Sequence, residues 1–135
     1  MHCFFIFFIF NMLLLLLLIL LHITDTMIKI NDLEEYKSFK EKAKKGFVIL
    51  LKHSDTCPIS AAAYKEFSEF LEENNVDAYY LVVQESRDVS KKVEEDFEVK
   101  HESPQILFLK DNKVMWTDSH YGVNKKSLEN QLKQI

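Results

Sequence analysis

The most restrictive feature of this chain is Phe47-Val-Ile-Leu-Leu51, an unbroken apolar run bounded by Gly46 on one side and by His53-Ser54-Asp55 on the other. A run that short, with no polar alternation, suits a strand covered on both faces, which requires a layer of structure on each side of a sheet. The next segment has a helical period. Pro58 suits a first helical position, and Ile59, Ala63, Phe67, Phe70 and Leu71 recur at spacings of three and four until Asn74-Asn75 ends the pattern. Upstream, Ile28 and Ile30 alternate with polar residues as a short strand. Asn31 or Asp32 then caps a helix carrying Leu33, Tyr36, Phe39 and Ala43, which Gly46 stops. Downstream, Ala78-Tyr-Tyr-Leu-Val-Val83 reads as a second buried strand, and Val89, Val93 and Phe97 mark a shorter helix. Strands separated by helices predict parallel pairing through right-handed crossovers.

The last third changes character. Ile106-Leu-Phe-Leu109 and Val114-Met-Trp116 flank Lys110-Asp-Asn-Lys113, whose central Asp-Asn tolerates the positive φ of a tight hairpin turn. An antiparallel pair is expected there. A terminal helix comes last, with Asn124 as cap and Leu128, Leu132 and Ile135 facing the sheet. The expected class is α/β, a central mixed β-sheet flanked by helices, in the order β-α-β-α-β-α-β-β-α.

Before this domain lies a different kind of segment. Residues 3 to 21 are apolar apart from Asn11, long enough at about 1.5 Å per residue to approach the thickness of a bilayer core. No Lys or Arg precedes Lys29 and no A-x-A cleavage site is present, which argues against a secretory signal. Two readings stay open beside it. Residues 1–26 are an over-extended start, with Met27 the true first residue, or an N-terminal anchor that Lys29, Lys37 and Lys40 would hold with the domain on the cytoplasmic side. Residues 27–135 form the single expected domain.

Charge and cysteine content narrow the function. From Lys29 onward there are 17 basic and 20 acidic residues, so no broad positive field faces a phosphate backbone and nucleic acid is not an expected partner. The two cysteines are divided between leader and body. No disulfide framework forms within the domain, and a reducing, cytoplasmic setting is expected. No P-loop, G-x-G-x-x-G, H-E-x-x-H or zinc-spaced Cys/His set is present, and no metal is expected.

Cys57 is the residue that stands out. Between a buried strand and a helix N-terminus, its sulfur meets unpaired backbone N–H groups and the positive end of the helix dipole, both of which favour thiolate over thiol. Asp55 opposes this with a nearby negative charge, and His53 helps only by folding back toward the sulfur. The alternative is a small buried hydrophobe, a common fate of free Cys. Ser103-Pro104 precedes the strand at Ile106, and a proline there fixes φ and removes a donor.

Taken together, Cys57-Pro-Ile-Ser60 at a helix start and Val99-Lys-His-Glu-Ser-Pro104 before the hairpin resemble the thioredoxin fold over residues 27 to 135. The resemblance implies that Pro104 is cis and lies, with the Ser103 backbone, beside Cys57. The chain departs from a dithiol thioredoxin at Ser60, which stands where C-x-x-C has its second Cys, so no internal disulfide closes. Thr56-Cys-Pro-Ile-Ser60 with His101-Glu-Ser-Pro-Gln105 is similar to the monothiol bacilliredoxins, the YtxJ-like bacillithiol-system proteins of low-GC Gram-positive bacteria. That resemblance implies a thiol-disulfide oxidoreductase. Cys57 would take bacillithiol from S-bacillithiolated client proteins as a mixed disulfide, and bacillithiol or a partner reductase would regenerate it. Thr56, Pro58, Ser60, His101, Ser103 and Pro104 would line the substrate site, with Lys52, His53 and His101 as counter-charges to the carboxylates of bacillithiol. Two rivals remain: an iron–sulfur scaffold of the monothiol glutaredoxin type, whose motif has Gly-Phe in place of Pro58-Ile59, and a non-catalytic thioredoxin-like module.

Overall fold

The computed structural model describes residues 2–21 and 27–135. The chain runs α1 (His2–Leu21), β1 (Ile28–Lys29), α2 (Leu33–Lys44), β2 (Phe47–His53), α3 (Pro58–Glu73), β3 (Asp77–Val82) and α4 (Arg87–Phe97). It continues with β4 (Gln105–Lys110), β5 (Lys113–Ser119), a short 3-10 turn (His120–Gly122) and α5 (Lys125–Leu132). The strands form one sheet in the order β1-β3-β2-β4-β5. β3 pairs in parallel with β1 and β2, while β4 is antiparallel to β2 and to β5. The mixed sheet and the helical layers agree with the expected class.

The two faces of the sheet carry separate cores. Val48 and Leu50 of β2 point to one face with Tyr36, Phe39, Val89, Val93 and Phe97 from α2 and α4. Ile49 and Leu51 point to the other with Ala63, Phe67, Phe70 and Leu128 from α3 and α5. This is the period-two alternation of a strand sandwiched between helices. Fully burying side chains such as Phe67 and Phe70 stabilises the fold by roughly 1.5–3 kcal/mol each.

Local chemistry sets the element ends. Asp32 Oδ1 accepts the Glu35 N–H at 2.8 Å while Glu35 Oε2 accepts the Asn31 N–H at 2.7 Å, a reciprocal cap that fixes the start of α2. Asn124 Oδ1 accepts the Ser127 N–H at 2.9 Å and starts α5. Asp111 and Asn112 take φ of 52° and 58°, the left-handed pair a two-residue hairpin requires.

Three expectations need correction. β2 does not stop at Leu51 but runs on through Lys52 and His53. Leu33 and Ile135, assigned to inward faces, are 41% and 43% exposed, because one opens its helix and the other lies beyond the end of α5. Ile28 is exposed although Ile30, two residues on, is buried, since it sits at the tip of a two-residue edge strand.

The leader forms a helix whose apolar side chains, from Phe4 to Ile19, are about half exposed or more. Among the described residues no helix is long and apolar enough to cross a membrane. The alternatives for the leader turn on the whole of 1–26, of which 1 and 22–26 lie outside the described residues.

Candidate active site

The parallel strands β2 and β3 end at the same edge of the sheet, and β4 begins there, since Lys52 lies opposite Gln105 and His53 opposite Val82. In open α/β sheets the carboxyl ends of parallel strands leave a crevice where ligands bind. Four loops converge on this edge: the Ser54–Cys57 loop after β2, the start of the β3–α4 connection, the approach to β4 through Pro104, and the 3-10 turn after β5.

Cys57 is the N-cap of α3, with φ −104° and ψ 121°, and Pro58 occupies the first helical position. Its carbonyl accepts the Ala61 N–H at 3.0 Å, opening the helix, while its side chain makes no capping hydrogen bond. The thiol is partly exposed. A sulfur at the N-cap of a helix this long faces the amide end of the dipole while open to an incoming disulfide. The sealed thiol required by the non-catalytic alternative is not what the fold produces.

The loop holding Cys57 is fastened from two sides. Ser60 is fully buried, and its Oγ accepts the Ser54 N–H at 2.8 Å. Its own hydrogen is then available to Nδ1 of His53, 2.8 Å away. Burial lowers the pKa of His53, against the Ser60 backbone and the charge of Asp55, which raise it. The His53 ring packs on Tyr64, centroids 5.1 Å apart. Ser60 was expected among substrate-binding residues; its hydroxyl instead points inward and is spent on the loop. On the other side Gln84, just beyond β3, donates from Nε2 to Ser54 Oγ at 2.6 Å and Thr56 Oγ1 at 3.2 Å. It also accepts the Asp55 N–H at 3.3 Å. Sequence reading missed Gln84. Its one signal is its place after the strand that runs beside β2, which becomes informative only once the pairing is known.

The Ser103–Pro104 peptide is cis, and Pro104 is buried. The Pro104 carbonyl accepts the His120 N–H at 2.9 Å, and Glu102 pairs with Nε2 of His120 at 3.0 Å, tying the approach to β4 onto the 3-10 turn. Ser103 Oγ is buried with no hydrogen-bond partner. Thr56 and Pro58 are exposed beside Cys57, and His101 is exposed on the approach to Pro104. The fold thus brings Thr56, Cys57, Pro58, His101, Ser103 and Pro104 to one sheet edge, with Ser60 beneath them.

Lys52 is also there, but not as a surface counter-charge. It is fully buried, on the α2/α4 face of β2, with Nζ 2.6 Å from Nδ1 of His101 and 3.3 Å from the Ser90 carbonyl. Burial pushes its pKa down to about 8, with Glu94 opposing the shift. Among the described residues no group of His, Cys, Asp or Glu side chains is placed to hold a metal ion.

A family model described as monothiol bacilliredoxin BrxC matches residues 28–128. One solved structure, described as a candidate oxidoreductase with a thioredoxin fold, is 39% identical with a TM-score of 0.73. The match covers 79% of this chain and 94% of that one. The thioredoxin of Fasciola hepatica is 14% identical, TM-score 0.67, over 80% of this chain and 98% of its own. Oxidised mitochondrial thioredoxin 3 of Saccharomyces cerevisiae is 19% identical, TM-score 0.63, over 81% and 95%. The last two establish likeness of fold.

Proposed function

The chain belongs to the monothiol bacilliredoxin family, and on that premise we propose that it removes bacillithiol from S-bacillithiolated proteins by carrying the cap on Cys57. In the first step the Cys57 thiolate attacks the bacillithiol sulfur of the mixed disulfide in line with the S–S bond. A Cys57–bacillithiol disulfide forms, the old S–S bond breaks, and the client leaves as a thiolate that takes a proton from water. No net oxidation occurs, since one disulfide replaces another. In the second step the thiolate of a second bacillithiol attacks the cap, giving bacillithiol disulfide and returning Cys57. A partner reductase serves the same end.

The observation that carries this reading is a partly exposed thiol at the N-cap of α3 with no second sulfur in the motif, the fourth position being the buried Ser60. Thr56 and Pro58 form the rim, and the Ser103 backbone before Pro104 offers an edge to an extended client or to the thiol cofactor. His101 is the polar side chain offered to the cofactor.

The test uses the full chain. Incubation with a bacillithiolated client, followed by intact-mass measurement, should show the cap transferred to the protein and mapped to Cys57. The Cys57→Ser variant retains the exposed Cys3 thiol of α1; if it removes the cap as fast as the unaltered chain, the proposal fails.

A further inference from the structure

A fully buried lysine beside an active-site edge calls for a reason, because burying an ammonium is costly unless it is hydrogen-bonded. The Lys52 Nζ has its shorter contact, 2.6 Å, with Nδ1 of His101, and its longer one, 3.3 Å, with the carbonyl of Ser90 in α4. An ammonium has only donors, so Nδ1 must present a lone pair to it, and in a neutral imidazole the proton then resides on Nε2. The groups around the ring agree with this assignment. Ser90 Oγ lies 3.4 Å from Nδ1, from α4. Burial and the Lys52 charge lower the pKa of His101, while Glu94 of α4 and Glu102 of its own segment oppose the shift. His101 is therefore a neutral ring near pH 7, not the cationic counter-charge that the sequence suggests.

We propose that Lys52 is a positioning residue: by donating to Nδ1 it fixes His101 as the Nε2–H tautomer, and that N–H is the donor which the segment before Pro104 offers to a carboxylate of the bacillithiol cap. Nε2 lies on the opposite side of the ring from Nδ1, and His101 is exposed, so the interior bond and the outward donor belong to the same side chain. The buried charge polarises the ring and strengthens the outward N–H. Lys52 touches no substrate and acts through His101 alone. The role rests on the reading of Cys57 as acceptor of the bacillithiol cap.

Long-range proton–nitrogen correlation on the full-length 15N-labelled protein reads the ring directly. The expected result at neutral pH is a protonated Nε2 and a bare Nδ1 on His101; a protonated Nδ1 overturns the proposal, whatever any variant does. In Lys52→Met, an apolar replacement of similar length that a buried site commonly tolerates, both tautomers should appear and the ring should protonate at higher pH. The KM for a bacillithiolated client should rise about threefold to tenfold, with kcat within about twofold. Unchanged ring signals or an unchanged KM in that variant also overturn it. The outcomes separate the two claims: transfer onto Cys57 with an unaltered KM removes only the role of Lys52, whereas failure to load Cys57 overturns the debacillithiolation reading and with it the proposed ligand of His101.

Discussion

Lys52 shows how one residue couples stability to pH. Its folded pKa is about 8 against an ordinary value of 10.5, because burial disfavours the ammonium. Below pH 8 both folded and unfolded chains carry the proton and the full burial penalty is present. Between about 8 and 10.5 the unfolded chain binds more protons than the folded one, so this group's contribution to stability rises with pH, by at most about 3 kcal/mol. Tyr36 works in the opposite sense at higher pH, since burial and its hydrogen bond to Asp96 hold its phenol well above the usual range. The difference between the native chain and Lys52→Met isolates the lysine. Urea unfolding of both at pH values from below 8 to about 10.5 should show their free energies converge, or the native chain gain on the variant, as pH rises. Parallel curves would mean that Lys52 does not titrate in this range.

At the scale of elements, the β4–β5 hairpin depends on its turn. Asp111 and Asn112 both have positive φ, which a short polar side chain tolerates and a β-branched one does not. Asn112→Val should cost about 1–2 kcal/mol, while Asn112→Gly should be neutral or slightly stabilising, as measured by thermal and urea midpoints. This turn was readable in the sequence because its chemistry is local, as were the Asn124 cap, the Pro58 start of α3 and a cap for α2 at Asn31 or Asp32, of which the fold uses Asp32. What was not readable depends on neighbours. Lys52 looks like the polar end of a strand until α4 and the His101 segment cover it. Ser60 looks like a ligand-facing hydroxyl until the Ser54 N–H and His53 claim it. Gln84 gains its three contacts with the Cys57 loop only because β3 lies alongside β2, a pairing between distant segments that no local pattern encodes.

For the whole molecule, both core clusters draw only on residues from Met27 to Leu132. The apolar side chains of α1 described from Phe4 onward are exposed, so they add no burial to the domain. Removing residues 1–26 should therefore leave the unfolding free energy of the domain unchanged to within about 0.5 kcal/mol, measured by urea denaturation against the full chain. A larger loss would mean that the leader packs on the domain. Ser60 carries the widest consequence. An alcohol at the fourth motif position cannot displace a disulfide sulfur, so the motif has no means of its own to eject the cargo, and on the proposed chemistry each return to the starting state needs a thiol from outside it. Turnover then scales with the supply of that thiol, from the small-thiol pool or from a partner reductase, and it stalls when the supply is spent.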